Sequence, residues 1–282
     1  MFEALSAEAL KMRTHKATWF LVWLFPIALS IVMLITIGAG IAGFDPPDRP
    51  NAADWIEDTT IIWFIPNNAV GRYLLSAFVA VVFAGEYGWN TWKLIVPHRR
   101  RSSLIAAKYA LVVILFAISF ILTAALLTGL NLADDALTGD TIPAGITAAA
   151  LLDAHGKAAL AAVAPVLIAI AYASLAAILT RSTIAALVIA IVATSVEQIV
   201  TSFGPMLYVN FPSIVWPLYH GLPGHHIANL AEYIREGAAL KRGFPDGRVV
   251  DLAWTTSLAI LLAWLAALCG ATFAAFRRQD IN

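Results

Sequence analysis

The chain has 282 residues, of which 60% are hydrophobic and only 13% charged, with a mean hydropathy of +0.79. Soluble domains carry about 25% charged residues, so this composition excludes a soluble enzyme or binding module and describes an integral membrane protein. Eighteen Lys and Arg balance eighteen Asp and Glu, but the charges are segregated along the chain, so the zero sum points to no nucleic-acid partner.

The N-terminus places Phe2, Leu5, Ala9, Leu10 and Met12 among Glu3, Glu8, Lys11 and Arg13, which predicts an amphipathic interfacial helix over 1–17. The apolar stretch after Lys16 is too long for a cleaved signal peptide and lacks a small-residue cleavage site, so it is read as a mature helix. A crossing needs about twenty predominantly apolar residues. Six segments qualify, at 18–41, 69–88, 104–130, 158–179, 183–203 and 252–276. The second is the weakest, because its clean apolar core is confined to 73–85, with Arg72 and Glu86 marking its ends.

Six spans put both termini on one side, and basic residues choose that side. The termini and the connections after spans two and four hold Lys11, Arg13, Lys16, Lys93, Arg99, Arg100, Arg101, Lys108, Arg181, Arg277 and Arg278 against Glu3, Glu8, Glu86 and Asp280. The other side is acidic, beginning with Asp45, Asp48, Asp54, Glu57 and Asp58, so both termini are expected in the cytoplasm. On the outer side, 43–68 with Pro46-Pro47 and 131–157 with Asp134, Asp135 and Asp140 read as solvated loops. Segment 204–251 starts apolar but is broken by Pro205, Pro212 and Pro217. It reads as a re-entrant or interfacial hairpin, followed by an amphipathic helix carrying Ile227, Leu230, Ala231, Ile234 and Ala238. The whole of 1–282 is thus one membrane domain of the all-α class. The single cysteine, Cys269, excludes an intramolecular disulfide and reads as a small core residue.

No phosphate loop, His-Glu-x-x-His, CxxC or GxSxG pattern occurs, so any energy the protein uses is harvested elsewhere. The polar elbow at 86–103 is the most informative segment. Trp89, Trp92 and Val96 make an apolar edge at helical spacing, Pro97 stops that turn, and Ser102 or Ser103 can cap the next helix. Aromatics beside arginines suit a protein interface; the competing reading is a headgroup belt obeying the positive-inside rule.

The elbow resembles the first cytoplasmic loop of ABC-2 type transporter permeases, on the residues Glu86, Asn90-Thr91, Lys93, Pro97, Arg99, Arg100, Arg101 and Lys108. Asn90 stands where that family usually has glycine. The amphipathic first helix, six spans, broken hairpin before the last span and the Phe276-Arg-Arg-Gln-Asp280 tail fit the same layout. The resemblance implies a permease subunit in a bacterial plasma (inner) membrane, paired with a second permease as a homodimer or heterodimer. It also implies a cytoplasmic ABC ATPase subunit, binding ATP and Mg, that docks on a coupling helix formed by Glu86, Trp89, Thr91, Trp92, Lys93, Pro97, Arg99, Arg100 and Arg101. Export of an amphipathic or lipophilic substrate such as a peptide, lipid or drug follows by analogy.

Glu197 and Gln198 lie inside the fifth span, where a carboxylate faces a partner or a wet cavity. They are candidates for the translocation path or for a structural contact between helices, with Ser195 and Thr201 near enough to satisfy the acid. His220, His225 and His226 are weak metal candidates, and they would be the only support for a permease that assists metal-centre maturation. Their setting among Gly221, Pro223 and Gly224 favours a turn. A channel would show a polar stripe along one helix, and a membrane enzyme several polar groups at one depth; neither pattern is present.

Overall fold

The computed structural model describes residues 2–44, 51–88, 91–96, 100–139 and 141–280, apart from the side chains of Phe2, Leu94 and Ile95. Asp45, Pro46, Pro47, Asp48, Trp89, Asn90, Pro97, Arg99 and Asp140 lie outside the described residues. The chain begins with α1 (Phe2–Arg13) and α2 (Lys16–Leu21), followed by α3 (Leu24–Ile41), α4 (Ala52–Phe64), a 3-10 turn (Ile65–Asn67) and α5 (Ala69–Gly88). A single turn, α6 (Trp92–Ile95), precedes the long helices α7 (Arg101–Thr138), α8 (Ala148–Thr180) and α9 (Thr183–Tyr208). Two short helices, α10 (Pro212–Gly221) and α11 (Pro223–Glu236), a hairpin of β1 (Lys241–Gly243) and β2 (Val249–Asp251), and α12 (Trp254–Arg278) complete it.

Helices α3, α5, α7, α8, α9 and α12 are each long and apolar enough to cross a membrane. Their outer faces expose Ile31, Leu34 and Ile35 on α3, Ile184, Val188 and Val192 on α9, and Leu262 on α12. Such a girdle is unstable in water and at home in lipid. The protein is an all-α membrane protein with six candidate spans.

The expected first span is broken. Pro26 has no N–H for the carbonyl four residues earlier, and that carbonyl, on Val22, instead accepts from Ser119 Oγ of α7 at 2.6 Å. His15 Nδ1 caps α2 by accepting from Ala17 N at 3.1 Å. On α7 the cap position is Arg100, without a side-chain cap bond, so neither Ser102 nor Ser103 has the capping role expected of it.

Helix α5, the weakest span by hydropathy, is the centre of the bundle. Leu75, Phe78, Val79, Val82 and Phe83 are all fully buried, and α8 and α9 flank it. Its modest hydropathy reflects contact with protein rather than lipid, which tolerates polar groups that have partners.

The two segments expected as solvated loops are largely helical. Asn51 caps α4 through Oδ1, accepting from Ala53 N at 2.8 Å and Asp54 N at 3.1 Å. The helix turns Trp55 and Ile62 inward and leaves Glu57 and Asp58 outside. Trp55 Nε1 donates to Asp135 at 3.1 Å and Trp63 Nε1 to His155 Nδ1 at 3.1 Å, fixing α4 against α7 and α8. Those two helices run 38 and 33 residues, or about 57 and 50 Å at 1.5 Å per residue. Both exceed the roughly 30 Å hydrocarbon core. Gly139, at φ +77°, closes α7 in the left-handed conformation that favours glycine.

In the outer segment, α9 continues through Pro205 before α10 and α11 fold back. Tyr208, Val215, Tyr219, Phe244 and Val250 form a separate apolar cluster there, and Tyr208 Oη donates to Asp246 at 2.6 Å.

Candidate functional site: an anchored elbow and a buried ion pair

The end of α5 that leads into the elbow carries Glu86, which is 1% exposed. Its carboxylate accepts from Lys11 of α1, from Thr91 of the elbow, and from Lys108 of α7 at 3.2 Å. Lys108 is fully buried, donates to Val82 O at 2.9 Å and pairs with Glu8 of α1 at 3.0 Å. Two acids and two lysines from three helices therefore neutralise one another. Charges taken out of water require this kind of mutual satisfaction.

Trp92 is 2% exposed and sits between Phe276 of α12, at 4.6 Å between ring centroids, and Tyr87 of α5, at 5.9 Å. The Lys108 ammonium lies 5.3 Å from its ring. Arg101 Nη1 donates to the carbonyls of Phe276, Arg277 and Gln279 at 3.2, 3.0 and 2.6 Å. A cation at the carbonyl end of α12 also complements the helix dipole. Gln279 in turn accepts from Tyr87 Oη and donates to Ile178 O, both at 2.5 Å. Of the elbow residues singled out in the sequence, Glu86, Trp92 and Arg101 are thus engaged within the chain. Lys93 and Arg100 are exposed and Thr91 is half-buried, while Trp89, Pro97 and Arg99 lie outside the described residues.

Toward the opposite end of α5, Arg72 and Glu197 form a two-pronged pair. Arg72 Nη1 and Nη2 donate to Glu197 Oε1 and Oε2 at 2.8 and 3.0 Å. Arg72 is 2% exposed and Glu197 1%. The sequence singled out Glu197 but read Arg72 only as the edge of a span. The available signal was an arginine within one apolar segment and a lone acid within another, which in lipid or in a core must find each other. Ser195 and Thr201 do not serve the carboxylate: Ser195 Oγ pairs with Tyr73 Oη at 2.5 Å, and Thr201 Oγ1 donates to the Glu197 carbonyl at 2.8 Å. Gln198 donates to Ser202 Oγ at 3.1 Å.

Helix α11 approaches this pair closely at Gly224. A Cβ there would fall 2.8 Å from Glu197 Cγ and 3.0 Å from the Glu197 carbonyl, and would clash with Thr201 Oγ1. The histidines are spread over different duties. His226 uses Nδ1 with Ser257 Oγ at 3.1 Å and Nε2 with His220 O at 2.8 Å. His220 Nδ1 meets Trp216 O at 2.9 Å, and His225 packs at a tilt against Tyr219 with both nitrogens buried and without a hydrogen-bond partner. Among the described residues, no three His, Cys, Asp or Glu side chains gather as ligands for a metal ion.

A lateral cleft of about 730 Å³ opens between α2, α3 and α7, lined by Trp19, Trp23, Ile27, Leu111 and Leu115, with Arg13 at one end.

A helical bundle with six candidate spans, whose central helix carries a buried ion-pair site toward each end, defines a multi-pass membrane protein. Residues 4–197 match the model of the ABC-2 family transporter proteins, and the chain belongs to that family. The protein is therefore a membrane transport component of the ABC-2 kind. The matched region includes the elbow and ends at Glu197. No curated protein matches the chain.

Proposed function

We propose that this chain is the permease subunit of an ATP-driven exporter in the bacterial plasma membrane, energised by a separate cytoplasmic ATPase subunit that docks on the 86–103 elbow. The observation that carries this reading is the construction of the elbow. It is joined to α1, α5, α7 and α12 through Glu86, Trp92, Lys108 and Arg101, yet presents Lys93 and Arg100 to solvent. Force applied at these exposed cations passes through the neighbouring Trp92, Glu86 and Arg101 contacts to four helices. The concentration of Lys and Arg on the elbow's side supports cytoplasmic termini.

The partner ATPase binds ATP and Mg, and a second permease, identical or homologous, completes the assembly. An amphipathic or lipophilic substrate suits the lateral cleft, whose walls are apolar and whose end carries Arg13. The Arg72–Glu197 pair, with Gln198 beside it, lies on the translocation side of α5 and α9, and breaking or re-forming it accompanies opening.

The test is co-purification of the full chain with its ATPase, comparing wild type with the Lys93→Glu/Arg100→Glu double variant. Loss of assembly and of substrate-stimulated hydrolysis, with unchanged thermal stability of the isolated chain, is expected. Unchanged assembly and hydrolysis would refute docking at this elbow.

A further inference from the structure

Away from the elbow, the 3-10 turn, α5, α9, α11 and β1 enclose a cavity of about 290 Å³. Arg72, 2% exposed, lines it, Asn67 and Thr201 contribute to its walls, and the exposed Arg235 and Arg242 stand at its rim. Three guanidinium groups from three elements therefore face one small space. Two of them are offset by acids: Glu197 takes both terminal nitrogens of Arg72, and Glu232 at the rim reaches Arg235 at 3.5 Å. Arg242 makes no ion pair among the described residues. In addition, Arg72 Nε is buried without a hydrogen-bond partner. Buried donors are rarely left in that condition, and this one belongs to a side chain that lines the cavity.

We propose that this cavity binds a phosphate group. A guanidinium fork matches phosphate oxygens and stays charged when desolvated. Donors arriving from three separate elements suit a tetrahedral oxyanion, which accepts from several sides, better than a planar carboxylate. The volume lies at the small end for ligand sites. It accommodates a phosphate with a substituent of glycerol size and leaves any acyl chains outside the cavity. A lipid headgroup and a water-soluble phosphate ester share this chemistry.

The test uses the full chain alone in maltoside micelles, without nucleotide or ATPase, so a negative result leaves elbow docking unaffected. Dihexanoyl phosphatidylglycerol, glycerol phosphate, inorganic phosphate and acetate are titrated at matched ionic strength by calorimetry. Saturable binding of the phosphate probes is expected, at least tenfold weaker in Arg242→Gln with an unchanged melting temperature, and partly restored in Arg242→Lys. Tenfold tighter binding of the lipid than of glycerol phosphate assigns the source to a headgroup, whereas equal binding assigns it to a soluble ester. Absence of saturable binding, equal binding of acetate, or affinity unaltered by Arg242→Gln would overturn the proposal.

Discussion

Arg72 and Glu197 stand 125 residues apart in the chain and meet through two hydrogen bonds of 2.8 and 3.0 Å, joining α5 to α9 where neither side chain reaches solvent. Removing one member of such a pair leaves a buried charge uncompensated, at a cost of about 3–5 kcal/mol, whereas replacing both with apolar residues is often neutral. Arg72→Met and Glu197→Gln are each expected to lower the melting temperature strongly, and Arg72→Met/Glu197→Met to recover much of the loss. A double variant that regains stability without transport would show that the pair serves more than stability. Thermal unfolding and transport assays on the same preparations check both.

Trp92 and Lys93 are neighbours with opposite fates, one packed against Phe276 and the other exposed. Trp92→Ala empties a core site and should cost about 3–5 kcal/mol, read as lower stability of the isolated chain. Lys93→Glu should leave that stability within about 0.5 kcal/mol. An unfolding comparison of the two variants distinguishes them.

Gly224 is required by proximity, because the atoms that a side chain would strike include the backbone carbonyl of Glu197. Gly224→Ala should push α11 off α9 and cost about 1–3 kcal/mol or more. Gly221→Ala, where a Cβ meets nothing within 4 Å, is the matched control. Melting temperatures of the two variants decide the point.

His225, on α11 and outside the six spans, has its pKa lowered from 6.5 to about 4, first by burial and then by the positive charge of His226, His220 and Arg242. Because the folded value lies below the unfolded one, the unfolded chain binds more protons between pH 4 and 6.5. Stability is therefore highest above 6.5 and falls as the pH drops from there through about 4. Both ring nitrogens lack hydrogen-bond partners, so His225→Phe should flatten this acid limb, raising the melting temperature at pH 5 while changing it little at pH 8.

Hydropathy located all six candidate spans, the first of them with a break near its start, since lipid-facing surface leaves a direct compositional trace. It missed two features for different reasons. In α4, the acids Asp54, Glu57 and Asp58 outweighed an inward stripe of Trp55 and Ile62, so a helix looked like a loop. In α5, Arg72 and Glu86 do stand near the two helix ends, but their burial against partners more than seventy positions away in sequence was not legible. Pairings of this kind depend on which helices become neighbours, and a single sequence does not encode them in any local pattern. The elbow was legible as a segment, but the inward turn of Trp92 depends on where α12 ends.

The lengths of α7 and α8 also have a practical consequence. With about 57 Å of helix against a lipid barrier of about 30 Å, α7 has length to spare beyond a single crossing, and its C-terminal end lies remote from the elbow at its start. An antibody fragment raised against that end would give a small membrane protein an outline for electron cryomicroscopy, while leaving the elbow uncovered.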